Sequence, residues 1–428
     1  MLKTIRNAWK IEDLRKKILF TLFILLLYRL GNAVPVPYIN IEALKGYFDN
    51  ASNTVLGFLN VMSGSALSQA TIFALGIQPY INASIIIQLL TIAIPALERL
   101  SKEGGEEGKK KIASITRYST VFIGLLQGFA YYILIRNNSL LNETGNSAWA
   151  AIVIILTFGA GSALIMWLAE QITEFGIGNG ISMVLFAGIV SRLPNAARSF
   201  VVNIMNTPSK WWLFALMLIG AVAMIVLIVI VDNSERRIPV QYSKRVVGRK
   251  MYGGQSTHLP VKVNMSGVLP VIFASSIASI PATVAQFVPK WSNGWFIKLF
   301  DTEKVTYVVL YFILIVAFSY FYSTIQFNPI EVSNNLRKNG GFIPGFRAGK
   351  PTSDFISRVL NKTTLFGAIY LAIIAIVPII ISMVSPTAKN FGYSIGGTSI
   401  IIVVGVALET VKSLETQMLM RHYKGFLE

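Results

Sequence analysis

Apolar runs of 18 residues or more recur along this chain, and each is long enough to cross the ~30 Å hydrocarbon core of a bilayer. Taken in order, the spans fall near 18–33, 70–97, 115–135, 148–169, 177–193, 211–231, 266–287, 305–325, 364–384 and 395–412, ten in all. Only 14% of the 428 residues are charged, where a soluble protein carries about 25%. The chain therefore reads as a polytopic membrane protein. It has no cysteine and two histidines, His258 and His422, so disulfides, thiolate metal sites, thiol nucleophiles and His-rich metal sites are all excluded.

The ends and loops set orientation. Residues 1–17 carry Lys3, Arg6, Lys10, Arg15, Lys16 and Lys17, with Ile5, Trp9 and Leu14 at helical spacing, as in an interfacial amphipathic helix. A basic start before a short apolar run also suits a cleavable signal peptide, but no A-x-A-like site follows. With the N-terminus in the cytoplasm, that side holds 28 of the 38 lysines and arginines. The positive-inside rule thus favours both termini in the cytoplasm.

Internal echoes divide the chain. Gly76 to Ser84 reads G-I-Q-P-Y-I-N-A-S and Gly267 to Ser275 reads G-V-L-P-V-I-F-A-S. They share Gly, Pro, Ile, Ala and Ser at equivalent places, and the glycine and proline read as breaks that bend the helix carrying them. The fifth span opens I-G-N-G-I-S at Ile177 and the tenth I-G-G-T-S-I at Ile395. Both echoes lie five spans apart, and because five is odd the second unit would sit inverted in the membrane. Small-residue packing between helices is the alternative explanation. The expected fold is all-α, with ten transmembrane helices in two inverted five-helix repeats, 18–200 and 201–428.

The stretch from Thr54 to Gln69 is apolar but too short to span. It is either an external hairpin or a re-entrant segment held where protein or water surrounds it. Ionisable groups are nearly absent from the spans: Glu170 and Glu174 follow the fourth, Glu409 lies late in the tenth, and Arg29 can snorkel outward. Ion-coupled transporters keep charges inside the membrane. Bulky aliphatics beside glycine and proline suit a constriction that gates by excluding water.

Two long loops, 232–265 and 326–363, are basic. They fix topology and touch anionic lipid, or they dock an acidic or RNA-rich partner through placed Lys and Arg. No Walker A loop, Gly-x-Ser-x-Gly elbow or HExxH occurs, so neither an enzyme nor a cofactor is expected.

The runs A-L-G-I-Q-P-Y-I-N-A-S-I-I-I-Q-L-L, E-Q-I-T-E-F-G-I-G-N-G-I-S, Q-S-T-H-L-P-V-K-V-N and G-G-T-S-I-I-I-V-V-G-V-A-L-E-T closely resemble the bacterial SecY protein-translocation channel family. The resemblance covers essentially the whole chain. It implies a clamshell of two five-span halves around an hourglass pore in the bacterial cytoplasmic membrane. The pore would pass unfolded polypeptides across and release hydrophobic segments sideways. Implied partners are SecE-type and SecG-type small membrane subunits, the SecA motor ATPase, the ribosome, signal sequences and anionic lipids.

Carried over, the family's pore ring falls on Ile77, Ile81, Ile181, Leu185, Ile272 and Ile402, with Leu185 standing where relatives have isoleucine. The plug falls within 54–66, at Leu56, Phe58, Leu59, Val61 and Met62, and the gate helix is 70–97. Lateral exit would open between spans 2–3 and 7–8, with Gln88 and Asn264 as its polar residues. Arg249 and Lys250 match the basic tip of the first large loop, and Arg347, with Lys350, marks the second. Phe346 and Ala348 replace the usual Ile and Pro beside Arg347.

Overall fold

A computed structural model describes residues 2–50, 60, 63–102, 104–142, 145, 147–206, 211–242, 245–247, 250–252, 256–287, 299–300, 304–384 and 397–424. Continuous apolar sequence without helix breakers gives long helices, because in lipid each backbone polar group must bond within its own segment. The first half runs α1 (Leu2–Lys10), α2 (Glu12–Gly31), α3 (Ile41–Asn50), α4 (Gln78–Ala93), α5 (Pro95–Lys102), α6 (Gly105–Asn137), α7 (Ala148–Phe175), α8 (Gly180–Val190) and α9 (Leu193–Asn206). The second runs α10 (Trp211–Asn233), β1 (Glu235–Tyr242), β2 (Arg245–Val247), β3 (Lys250–Tyr252), β4 (Ser256–Lys262), α11 (Leu269–Phe287), α12 (Val305–Gln326), α13 (Pro329–Lys338), β5 (Gly341–Phe342), α14 (Lys350–Val384) and α15 (Gly397–Lys424).

A helix lies across each of the ten expected spans. Among the described residues, six helices are long and apolar enough to cross a membrane, and seven if α4 and α5 form one broken span. The charges explain part of the difference. Glu12 to Lys17 fill the first turns of α2, and Glu409 onward makes the second half of α15 polar.

Two expectations are corrected. The echoed Gly-x-x-Pro does not bend a helix; it starts one. Gly76 and Gly267 take φ of +56° and +62°, a left-handed backbone suited to glycine. In both copies the helix begins at the third motif position, Gln78 and Leu269, so Pro79 and Pro270 sit in the first turn, where the missing N–H costs nothing. Residues 71–77, expected within the gate helix, are mainly turns. The bend lies at the other end, between Ile94 and Pro95, where α4 and α5 meet at 105°.

The fold is also not all-α. Along β1, Ile238 and Val240 are buried and alternate with exposed residues, a period-two pattern that makes strand rather than helix. β1 pairs antiparallel with β4 from Glu235↔Lys262 to Gln241↔Ser256. On its other side β5 adds at Gln241↔Phe342 and Tyr242↔Gly341. The two long basic loops are thus joined in one sheet of order β4-β1-β5. Ile238, Val240, Val261, Ile343, Ile356 and Leu360 form its core.

The N-terminal helix has a protein partner. Ala8, Leu14, Ile177 and Leu414 form one buried cluster with Ile11, Ile18 and Met418 beside it, and Thr4 Oγ1 donates to Glu415 Oε1 at 3.0 Å. Protein therefore covers part of the apolar face that the sequence assigned to lipid. Helices α6 and α7 pack through small residues, with Gly128 of α6 against the Ile155 carbonyl and Gly159 of α7 against Leu125; on another side of α7 a Cβ on Gly161 would run into the Ile72 carbonyl oxygen, so nothing larger than glycine fits.

Candidate functional site

The aliphatic residues proposed for a ring arrive from four helices and one cap. Ile77 caps α4 and Ile81 lies in its first turn; Ile181 and Leu185 stand four apart on α8, hence on one face. Ile272 lies near the start of α11 and Ile402 near the start of α15. Five of them, Ile77, Ile81, Leu185, Ile272 and Ile402, are at most 4% exposed members of one large apolar cluster, and Ile181 packs against that cluster. These six side chains offer only methyl and methylene groups, so they have nothing with which to hydrate an ion; the wider cluster also holds Tyr28, Tyr307, Tyr311 and Tyr370.

A seam of polar contacts runs beside it. α11 packs against α4 and α6. Gln78 Nε2 donates to Ser276 Oγ at 3.1 Å, joining α4 to α11. Further along, Tyr322 Oη on α12 donates to Gln88 Oε1 at 3.3 Å, while Gln88 Nε2 donates to Ser84 Oγ at 3.4 Å. The Tyr322 ring meets Phe273 edge-on with centroids 5.2 Å apart. Gln88 thus bonds from α4 to α12 beside the Gln78–Ser276 contact. Gln78, Ser276 and Tyr322 were missed, although Gln78 and Ser276 are polar residues in or beside the two echoed motifs.

Asn264 sits elsewhere. It is 8% exposed, its Nδ2 donates to Asp232 Oδ1 at 2.8 Å, and its backbone lies against Gly367 of α14. Leu56, Phe58, Leu59, Val61 and Met62 lie outside the described residues. The adjoining stretch is buried and turned: Asn60 accepts from Ser65 N at 2.8 Å through its carbonyl and from Ser68 N at 2.9 Å through Oδ1. Gly64, at φ +69°, lies against the Gly188 carbonyl of α8.

Of the loop residues, Arg249 lies outside the described residues and Lys250 begins β3. Arg347 and Lys350 are exposed on a fixed loop. Phe346 stacks on Phe355 with centroids 4.2 Å apart, Thr352 Oγ1 donates to the Arg347 carbonyl at 2.8 Å, and Ser333 Oγ donates to the Gly349 carbonyl at 2.8 Å. A phenylalanine at 346 therefore anchors the loop from beneath. Among the described residues no group of three or more His, Cys, Asp or Glu could hold a metal ion.

The profile of the SecY family matches residues 71–411. The chain belongs to the SecY family. Its SecY relatives include the protein translocase subunit SecY of Streptomyces scabiei, 44% identical over 441 residues with all of both chains covered. The protein translocase subunit SecY of Mycobacterium tuberculosis is 42% identical over 447 residues, again with full coverage of both. Among solved structures, a protein-conducting channel matches with TM-score 0.67 at 17% identity, covering 94% of this chain and 92% of that one. Sec61 from the canine ribosome-channel complex matches with TM-score 0.64 at 16% identity, with the same coverage. At such identities these two structures establish the fold alone.

Proposed function

We propose that this SecY-family chain is the pore subunit of a protein-conducting channel, which passes unfolded polypeptides across the membrane and releases hydrophobic segments sideways into it. One observation supports the reading: six aliphatic side chains, drawn from both sequence halves, belong to or border one buried apolar cluster. Such a constriction excludes ions by dewetting when shut. It also offers a passing chain no hydrogen bonds, so it tolerates any side chain.

The ten spans act as two inverted five-span units, and Ile77, Ile81, Ile181, Leu185, Ile272 and Ile402 line the pore. The segment within 54–66 plugs it. The α4–α11 seam is the lateral exit, with Gln78, Ser276, Gln88 and Tyr322 as its polar closures. The joined loops, with Arg249, Lys250, Arg347 and Lys350, dock a motor ATPase or a ribosome, whose work drives an otherwise passive pore. SecE-type and SecG-type subunits and anionic lipid complete the assembly. Both termini face the cytoplasm of a bacterial cell.

The test is transport by the full chain, co-reconstituted with its small subunits. ATP- and motor-dependent protection of an unfolded precursor inside vesicles supports the reading. Saturable uptake of a small solute by the chain alone, without polypeptide entry, contradicts it.

A further inference from the structure

The loop formed by residues 232–265 leaves the membrane-embedded body through a narrow neck. Asp232 ends the apolar part of α10 three residues before β1, and Asn264 follows β4 by two residues. Their 2.8 Å bond closes the neck, and Val263 N donates to the Ser234 carbonyl at 3.0 Å just above it. Two further helices converge there. From α15, Lys412 Nζ donates to the Asp232 carbonyl at 3.3 Å, and a Cβ on Gly405 would lie 4.0 Å from Asp232 Oδ2. From α14, Gly367 lies against Val263 and Asn264.

The neck joins the sheet to the ring. Four residues of turn link Asn264 to α11, whose first turn carries Ile272; α15 carries both Lys412 and Ile402. A displacement of the β1–β4 hairpin therefore reaches two walls of the aliphatic cluster through Asp232 and Asn264. Among the described residues Asn264 Oδ1 has no hydrogen-bond partner, so the Asp232 contact is made through Nδ2 alone.

We propose that Asp232 and Asn264, braced by Lys412, are positioning residues that transmit movement of the 232–265 loop to the helices carrying Ile272 and Ile402. The proposal rests on the docking role of that loop. A buried bond that only holds the fold together behaves differently on double substitution, because replacing both partners by apolar groups of similar shape is nearly neutral for stability.

The experiment compares Asn264→Leu, the double variant Asp232→Leu with Asn264→Leu, and Asp232→Asn, each in the full chain reconstituted with its small subunits. Melting temperature, vesicle binding of the motor and motor-driven precursor uptake are measured together. Asn264→Leu is expected to lower the melting temperature, and the double variant to recover it. Uptake is expected to fall about tenfold in both, the size of a typical coupling contribution, with motor binding unchanged. Asp232→Asn, which can still accept from Asn264, should recover most of the uptake. Recovery of uptake together with melting temperature in the double variant overturns the proposal. Arg249→Glu with Lys250→Glu, on the same loop, separates the underlying docking reading in the same vesicles: normal uptake there refutes docking, whereas a loss there beside normal uptake in the double variant refutes transmission alone.

Discussion

Glycine plays two different roles in this chain, and substitution distinguishes them. At Gly161 a methyl group would run into the Ile72 carbonyl oxygen, whereas at Gly220, on the exposed α10, nothing lies within 4 Å. Gly161→Ala should therefore destabilise the chain by about 1–3 kcal/mol through overpacking. Gly220→Ala should be neutral or stabilise by about 0.5–1 kcal/mol through helix propensity. Melting of the purified variants in detergent checks both; equal melting temperatures would contradict the close α7–Ile72 approach. The residue scale also shows what sequence could reveal. Of the six ring candidates taken from the family resemblance, five lie in one large buried cluster and Ile181 packs against it. The role of Gly76 and Pro79 was not legible, because a Gly-x-x-Pro that starts a helix and one that breaks it have the same letters. Only the positive φ and the position of the first helical turn decide it.

Between elements, the α4–α11 seam is held where Gln78 and Ser276 meet at 3.1 Å. The chain contains no cysteine, so Gln78→Cys with Ser276→Cys creates the only possible disulfide. Oxidation should stop precursor uptake and reduction should restore it; full uptake in the crosslinked channel would show that the seam does not part. The sheet that joins the two basic loops was not legible. β5 is two residues long and pairs with β1 across about a hundred residues of chain, and neither propensity nor periodicity reports so short and distant a partner. The 105° elbow at Ile94–Pro95 had a local signal in Pro95, but the apolar run carried on past it and hid the break. A fixed loop around Arg347 makes a separate prediction. Arg347→Glu should abolish motor-driven uptake while leaving assembly with the small subunits intact. Normal uptake would remove Arg347 from coupling.

At the scale of the whole molecule, the chain places its charges at the ends and its aliphatics in the middle. Glu174 and Glu409 line a recess of about 370 Å³ with Lys17, Asn179 and Gln417, polar residues that lie apart from the aliphatic cluster. That separation was visible in the sequence as spans without midplane carboxylates. What passes through was not visible, since a wall of methyl groups does not name its substrate; kinship with SecY translocase subunits supplied it. The central claim is that the cluster seals the membrane, and resting ion conductance in planar bilayers reads it directly. Replacing Ile81 and Ile272 together with serine puts two hydroxyls into the constriction and should raise resting conductance well above that of the unaltered chain. Resting conductance unchanged by the pair of substitutions would contradict the aliphatic seal.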